Sequence, residues 1–191
     1  MTPTEAASMG AFLSVVLALA YRRMTFTALK ESLWTTVTIT AMIAFVMFTA
    51  KVLGQVFQHI GLTELFTSFM LGLPFGKYGI LAIIAVMYLI GGMFIDEWSL
   101  LLITIPFILQ VITGLGFSRV WFGVWYVMIG EAGLITPPFG LNLFVLHGAI
   151  PKHDVMTIAL GASPFLISLL IMGVLLAVFP QLALWLPHVL F

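Results

Sequence analysis

The chain has 191 residues, of which 62% are hydrophobic and only 7% charged, and seven basic and seven acidic side chains leave a formal net charge of +0. Soluble domains carry about 25% charged residues, so most of this chain's outer face must meet a lipid bilayer, and the scattered Lys and Arg offer no basic block of the kind that binds nucleic acid. With no cysteine, disulfides, thiolate-bound zinc, iron–sulfur clusters and thiol catalysis are excluded.

The first apolar helix is expected over residues 5–21. Thr2 is placed to cap it, Pro3 to start it, and Glu5 to close a capping box. No basic segment precedes it and no small-residue cleavage site follows, so it reads as part of the mature chain rather than a signal peptide. Arg22, Arg23 and Lys30 then form a basic connection, cytoplasmic by the positive-inside rule. A second span, 33–57, crosses outward. Thr35, Thr36, Thr38 and Thr40 in its first turns either bond to their own helix backbone or mark a polar path. Lys51 either snorkels outward or faces protein.

Residues 61–73 are too short and too polar on one side to span, and predict an interfacial helix. Two apolar runs within 78–113 meet at Asp96-Glu97-Trp98-Ser99, just after Gly91-Gly92. Carboxylates with hardly any loop and no basic residue fit the tip of a re-entrant helical hairpin; the alternative is a tight turn between two full spans. Pro106 predicts a kink in the second arm.

Residues 120–150 are long enough to cross but are interrupted by Gly130-Glu131-Ala132-Gly133-Leu134-Ile135-Thr136-Pro137-Pro138-Phe139-Gly140-Leu141-Asn142. Two consecutive prolines remove two amide donors, so the helix must open there and leave carbonyls unpaired. A short surface segment should follow Lys152, then a last helix over 163–180 started by Ser163-Pro164, then an amphipathic tail. The whole predicts an all-α fold, a polytopic membrane helical bundle, with residues 1–191 as a single transmembrane domain.

A broken membrane helix is a place for function, because freed carbonyls at one half-helix end suit a small cation and free amides at the other suit an anion. Candidate ion- or substrate-binding residues are Gly91, Gly92, Asp96, Ser99, Glu131, Gly133, Thr136, Pro137, Pro138 and Asn142. Glu97 adds a further carboxylate to the turn. Each acid has a structural reading too: Asp96 as a helix cap, Glu131 as a hydrogen-bond partner between helices. No catalytic residues emerge. His59, His147, His153 and His188 are scattered, without the paired spacing of a metalloprotease or a nucleophile partner.

The stretch Gly133-Leu134-Ile135-Thr136-Pro137-Pro138-Phe139-Gly140-Leu141-Asn142-Leu143-Phe144-Val145 resembles the signature of the large permease subunits of tripartite ATP-independent periplasmic (TRAP) transporters, DctM-like proteins. Thr2-Pro3-Thr4-Glu5-Ala6-Ala7 resembles the motif opening the second half of those subunits, and Gly92-Met93-Phe94-Ile95-Asp96 followed by Pro106 resembles their second hairpin.

The resemblance implies a multi-pass protein of the bacterial inner (cytoplasmic) membrane, not an enzyme. It implies import of small organic acids of the C4-dicarboxylate type by symport with sodium, Na+ being the coupling ion and no cofactor being required. The partners implied are a periplasmic substrate-binding protein and a small membrane subunit.

The family's two inverted repeats and elevator mechanism would make this chain one inverted-repeat half, with the hairpin tip near Gly91, Gly92, Asp96 and Ser99 facing the break at Gly133, Thr136, Pro137 and Asn142. The first, N-terminal repeat is missing from it. The chain then reads as a fragment, a split subunit or a truncated product, and the competing function is that of a non-transporting membrane assembly or scaffold protein.

Overall fold

The computed structural model describes residues 2–150 and 152–190, and among them every regular element is an α-helix. The chain forms two compact units, Met1–Phe48 and Thr49–Phe191, rather than one.

In the first unit, α1 (Pro3–Ala20) begins on a capping box: the Glu5 N–H donates to the Thr2 hydroxyl, and the Thr2 N–H to the Glu5 carboxylate. The next helix, α2 (Phe26–His59), begins at Phe26 rather than at Leu33, taking Lys30 into the helix. Thr25 explains the earlier start, since its hydroxyl accepts the Ala28 N–H at 3.1 Å and no breaker follows. Thr36 and Thr38 donate to the carbonyls of Ser32 and Trp34, at 2.7 and 2.9 Å. Local satisfaction therefore accounts for both hydroxyls.

The second unit contains the end of α2 and α3 (Leu62–Leu71), α4 (Gly76–Phe94), α5 (Glu97–Gly114), α6 (Arg119–Leu134), α7 (Leu141–Ala149), α8 (Val155–Val178) and α9 (Gln181–Leu190). α2, α4, α5 and α8 are long and apolar enough to cross a membrane. The core lies where α6 packs on α4 and α8, and it is aromatic: Tyr88, Trp121, Trp125 and Tyr126 are almost wholly buried. Phe117, Trp121 and Trp125 stack in a ladder along α6, with successive ring centroids 4.1 and 5.7 Å apart.

Proline placement decides several helix contacts. Pro106 does not break α5; its ring lies against Gly54 of α2, where a Cβ would come within 2.9 Å of Pro106 Cγ. Pro164 likewise stands inside α8, so the expected surface segment and the helix over 163–180 form one helix from Val155. The carbonyl that Pro164 cannot serve, that of Leu160, accepts the Ser163 hydroxyl at 2.7 Å. Pro180 leaves the Leu176 carbonyl without its helical donor, and the Trp121 indole N–H takes it at 2.8 Å. Trp125 donates to the Gly173 carbonyl at 3.2 Å, so two indoles fasten α6 to α8.

Candidate functional site

The expected break in residues 120–150 falls between α6 and α7, over residues 135–140. In a continuous helix the amides of residues 137 and 138 would serve the carbonyls of Gly133 and Leu134, and Pro137 and Pro138 have no N–H to give. Gly133 is rescued, its carbonyl accepting the Thr136 N–H at 3.1 Å. It is therefore not among the freed oxygens. The carbonyls of Leu134 and Thr136 accept no hydrogen bond among the described residues. Both turn towards Gly140, where a Cβ would lie 2.9 Å from each oxygen; Gly140 has φ +27°, in the region that favours glycine. Thr136 adds a hydroxyl that donates to the Ala132 carbonyl at 2.5 Å and keeps lone pairs for another partner. Asn142 is exposed in the first turn of α7.

The hairpin turn between α4 and α5 meets this break. Gly92 of α4 and Gly133 of α6 touch backbone to backbone: a Cβ on Gly133 would come within 3.0 Å of Gly92 Cα and 3.2 Å of the Leu89 and Tyr88 carbonyl oxygens. Beyond that crossing, the rings of Phe94 and Phe139 lie 4.9 Å apart. Gly91 packs on the Leu100 side chain within its own hairpin.

Asp96 is exposed and caps α5, its carboxylate accepting the Ser99 N–H at 3.0 Å. The expected capping role is present. Ser99 is half-buried in the first turn of α5.

Glu97, the further carboxylate of the turn, and Tyr126, outside the predicted set, complete the neighbourhood. The Glu97 side chain lies over Gly130, with Cγ 3.0 Å from where a Cβ would stand, and Glu131 is the next residue of α6. Tyr126 donates its hydroxyl to the Glu97 carbonyl at 2.5 Å, tying the first turn of α5 to α6. Tyr126 gave no sequence signal beyond its apolar surroundings. Gly130, three residues before Gly133 and on the same helix face, was the available sign that α6 meets another element closely. Among the described residues no cluster of three or more His, Asp or Glu could hold a metal. The oxygens at the break are backbone carbonyls and a hydroxyl, hard donors of the kind suited to a hard cation.

Residues 1–182 match the sequence profile of the family described as the tripartite ATP-independent periplasmic transporter, DctM component. The chain belongs to this DctM family. It is 33% identical over 190 residues to the sialic acid TRAP transporter large permease protein of Vibrio cholerae, an alignment covering 98% of this chain and 44% of that protein. It is 30% identical to the C4-dicarboxylate TRAP transporter large permease protein of Rhodobacter capsulatus, covering 99% of this chain and 43% of the relative. The ectoine/5-hydroxyectoine TRAP transporter large permease protein of Ruegeria pomeroyi is 29% identical, with coverage of 100% and 44%.

The chain thus spans less than half the length of these DctM relatives. These relatives are named for different substrates, so membership does not fix one. DctM proteins are transporter components rather than enzymes. Membership together with four membrane-length helices makes this chain a multi-pass inner-membrane protein.

Proposed function

We propose that this chain is half of the membrane permease of a sodium-gradient-driven importer of small organic acids. In this reading it works with a first-half repeat, a small membrane subunit and a periplasmic substrate-binding protein. The observation that carries the proposal is the pair of unpaired carbonyls at the break, Leu134, whose helical donor would be the missing N–H of Pro138, and Thr136, both turned towards one side of Gly140, next to the hairpin turn. At membrane depth an unpaired carbonyl costs free energy, and a desolvated Na+ is a partner that recovers it. Thr136 Oγ1 and the neighbouring carbonyls supply further oxygens.

The α6 C-terminus brings partial negative charge to the break, and the α7 N-terminus brings free amides that favour an anion. A carboxylate substrate at the α7 end and Na+ at the α6 end would stabilise one another, which couples the two. α4 and α5 would form a re-entrant hairpin. Its turn lies beside the break, where Gly92 meets Gly133 and Phe94 meets Phe139.

For an elevator movement the hairpin and the broken helix must travel as one body. The Gly92–Gly133 contact and the Tyr126–Glu97 hydrogen bond would hold them together. The relatives' names do not favour dicarboxylates over other organic acids, and the chemistry proposed here requires only a small carboxylate.

The test is uptake in vesicles containing the whole assembled complex, with Na+ replaced by K+. Uptake that needs Na+ supports the reading. Uptake indifferent to the cation removes the coupling role, and an assembled complex with no uptake of any carboxylate favours a scaffold.

A further inference from the structure

A second feature of the molecule lies away from the break. α6 forms the floor of a groove of about 360 Å³, and α4 and α8 stand on either side of it as walls. Ala82, Ala85 and Val86 line one wall, Gly173 and Val174 the other, and Trp125 the floor; the lining is apolar. The two walls are helices long and apolar enough to cross a membrane. Gly173 is already filled by Ile129, whose Cδ1 lies 2.7 Å from where a Cβ would stand, so this wall has no further notch for a neighbouring helix backbone.

Charge marks one end of the groove. α4 and α6 run in the same direction, since Gly92 and Gly133 meet near their C-termini and Lys77 lies 5.7 Å from the Phe117 ring at their starts. Tyr78 lines the groove there, and Lys77 sits over its ring at 4.8 Å. Arg119 is the first residue of α6, two past Phe117. Lys77 and Arg119 are both exposed, and neither has an ion-pair partner among the described residues. Both stand in the first turn of a helix, where the macrodipole disfavours a cation and favours an anion. A phosphate at this end would answer Lys77 and the uncapped start of α4, and Arg119, two residues past Phe117, adds positive charge at the same end.

We infer that this groove binds one molecule of an anionic glycerophospholipid, an acyl chain lying along Ala82, Ala85 and Gly173 and the phosphate at Lys77 and Arg119. An apolar slot closed by a cationic rim has the amphipathic order of such a lipid. A transmembrane helix of another subunit, uncharged along its span, would leave the two bases unanswered.

The experiment uses the whole complex, purified in detergent, exchanged into nanodiscs of phosphatidylcholine with or without phosphatidylglycerol, and examined by native mass spectrometry and thermal unfolding. The expected result is one phosphatidylglycerol retained per chain and a higher Tm in discs that contain it. Lys77→Gln and Arg119→Gln should each lower the preference for phosphatidylglycerol over phosphatidylcholine about fivefold. Ala82→Leu should fill the slot and reduce retention of both lipids, and Lys51→Gln should change nothing.

Equal retention in all variants, or none in the unmodified complex, overturns the inference. So does a cysteine at Val86 that cross-links to another polypeptide of the complex instead of a photoreactive lipid. The inference is independent of the sodium proposal, and lipid retention is read without any transport assay.

Discussion

Gly92 and Gly133 hold α4 and α6 so close that a methyl group on either would come within 3.1 Å of the other's Cα. The obstacles are backbone atoms on both sides, with the Leu89 and Tyr88 carbonyls behind Gly92, so no side chain can rotate away. Gly133→Ala must push the helices apart and should destabilise the folded complex by about 1–3 kcal/mol, seen as a lower Tm. Gly123→Ala, where nothing lies within 4 Å, is the control and should leave Tm the same or slightly higher. Equal effects at the two positions would mean that the crossing does not hold the hairpin to α6.

The indole clamps separate a satisfied carbonyl from an orphaned one. Trp121→Phe removes the donor to Leu176, whose helical donor would be the missing N–H of Pro180, leaving a buried carbonyl unserved at a cost of about 1–3 kcal/mol. Trp125→Phe removes a second donor from Gly173, which still has the Ala177 amide four residues on. Thermal unfolding of the two variants should therefore show the larger loss for Trp121→Phe.

At the start of α8 the Asp154 carboxylate caps the helix, accepting the Thr157 N–H and the Thr157 hydroxyl. The hydroxyl bond, the largest cause, holds its carboxyl below the usual carboxylate range. A lowered folded-state value means that the cap's contribution is fully present above the unfolded value and is lost as pH falls through the folded one. Hydrogen exchange at Val155–Thr157 should be faster in Asp154→Ala than in the unmodified chain at neutral pH, and the two should converge in strong acid.

Much of this organisation is legible in the residues. Apolar runs and their polar interruptions give the helices of both units, and the pair Pro137-Pro138 gives the opening of the broken helix, because missing amides are a property of sequence. What depends on tertiary context is not. Pro164 looks like a helix start, and only the Ser163 hydroxyl meeting the Leu160 carbonyl shows how α8 continues through it. Asp96 and Glu97 are adjacent in sequence, yet one caps α5 and is exposed while the other lies over Gly130 next to Glu131; that difference is set by α6, which lies outside any local pattern. Gly133 was expected among the freed carbonyls, and the turn at Thr136 serves it instead.

Gly140 tests the geometry of the carbonyls directly. Its φ of +27° and the two oxygens 2.9 Å from a would-be Cβ mean that Gly140→Ala must displace the Leu134 and Thr136 carbonyls. Gly116 has φ +82° with open space around it, so Gly116→Ala carries backbone strain without touching an oxygen. Sodium-dependent thermal stabilisation of the complex should be lost in Gly140→Ala and kept in Gly116→Ala. Loss in both would assign the effect to strain alone.

The central claim is that the unpaired carbonyls of the break opened by Pro137 and Pro138 hold the coupling cation, and replacing both prolines with alanine tests it most directly. The double variant regains the two amides, which can pair with the Gly133 and Leu134 carbonyls and let α6 run on. The measurement is sodium-dependent uptake by the assembled complex in vesicles, beside sodium-dependent thermal stabilisation of the same preparation. The account predicts that the variant inserts and assembles while both sodium responses fall together. An assembled double-alanine complex whose uptake and stability respond to sodium as the unmodified one does would contradict it.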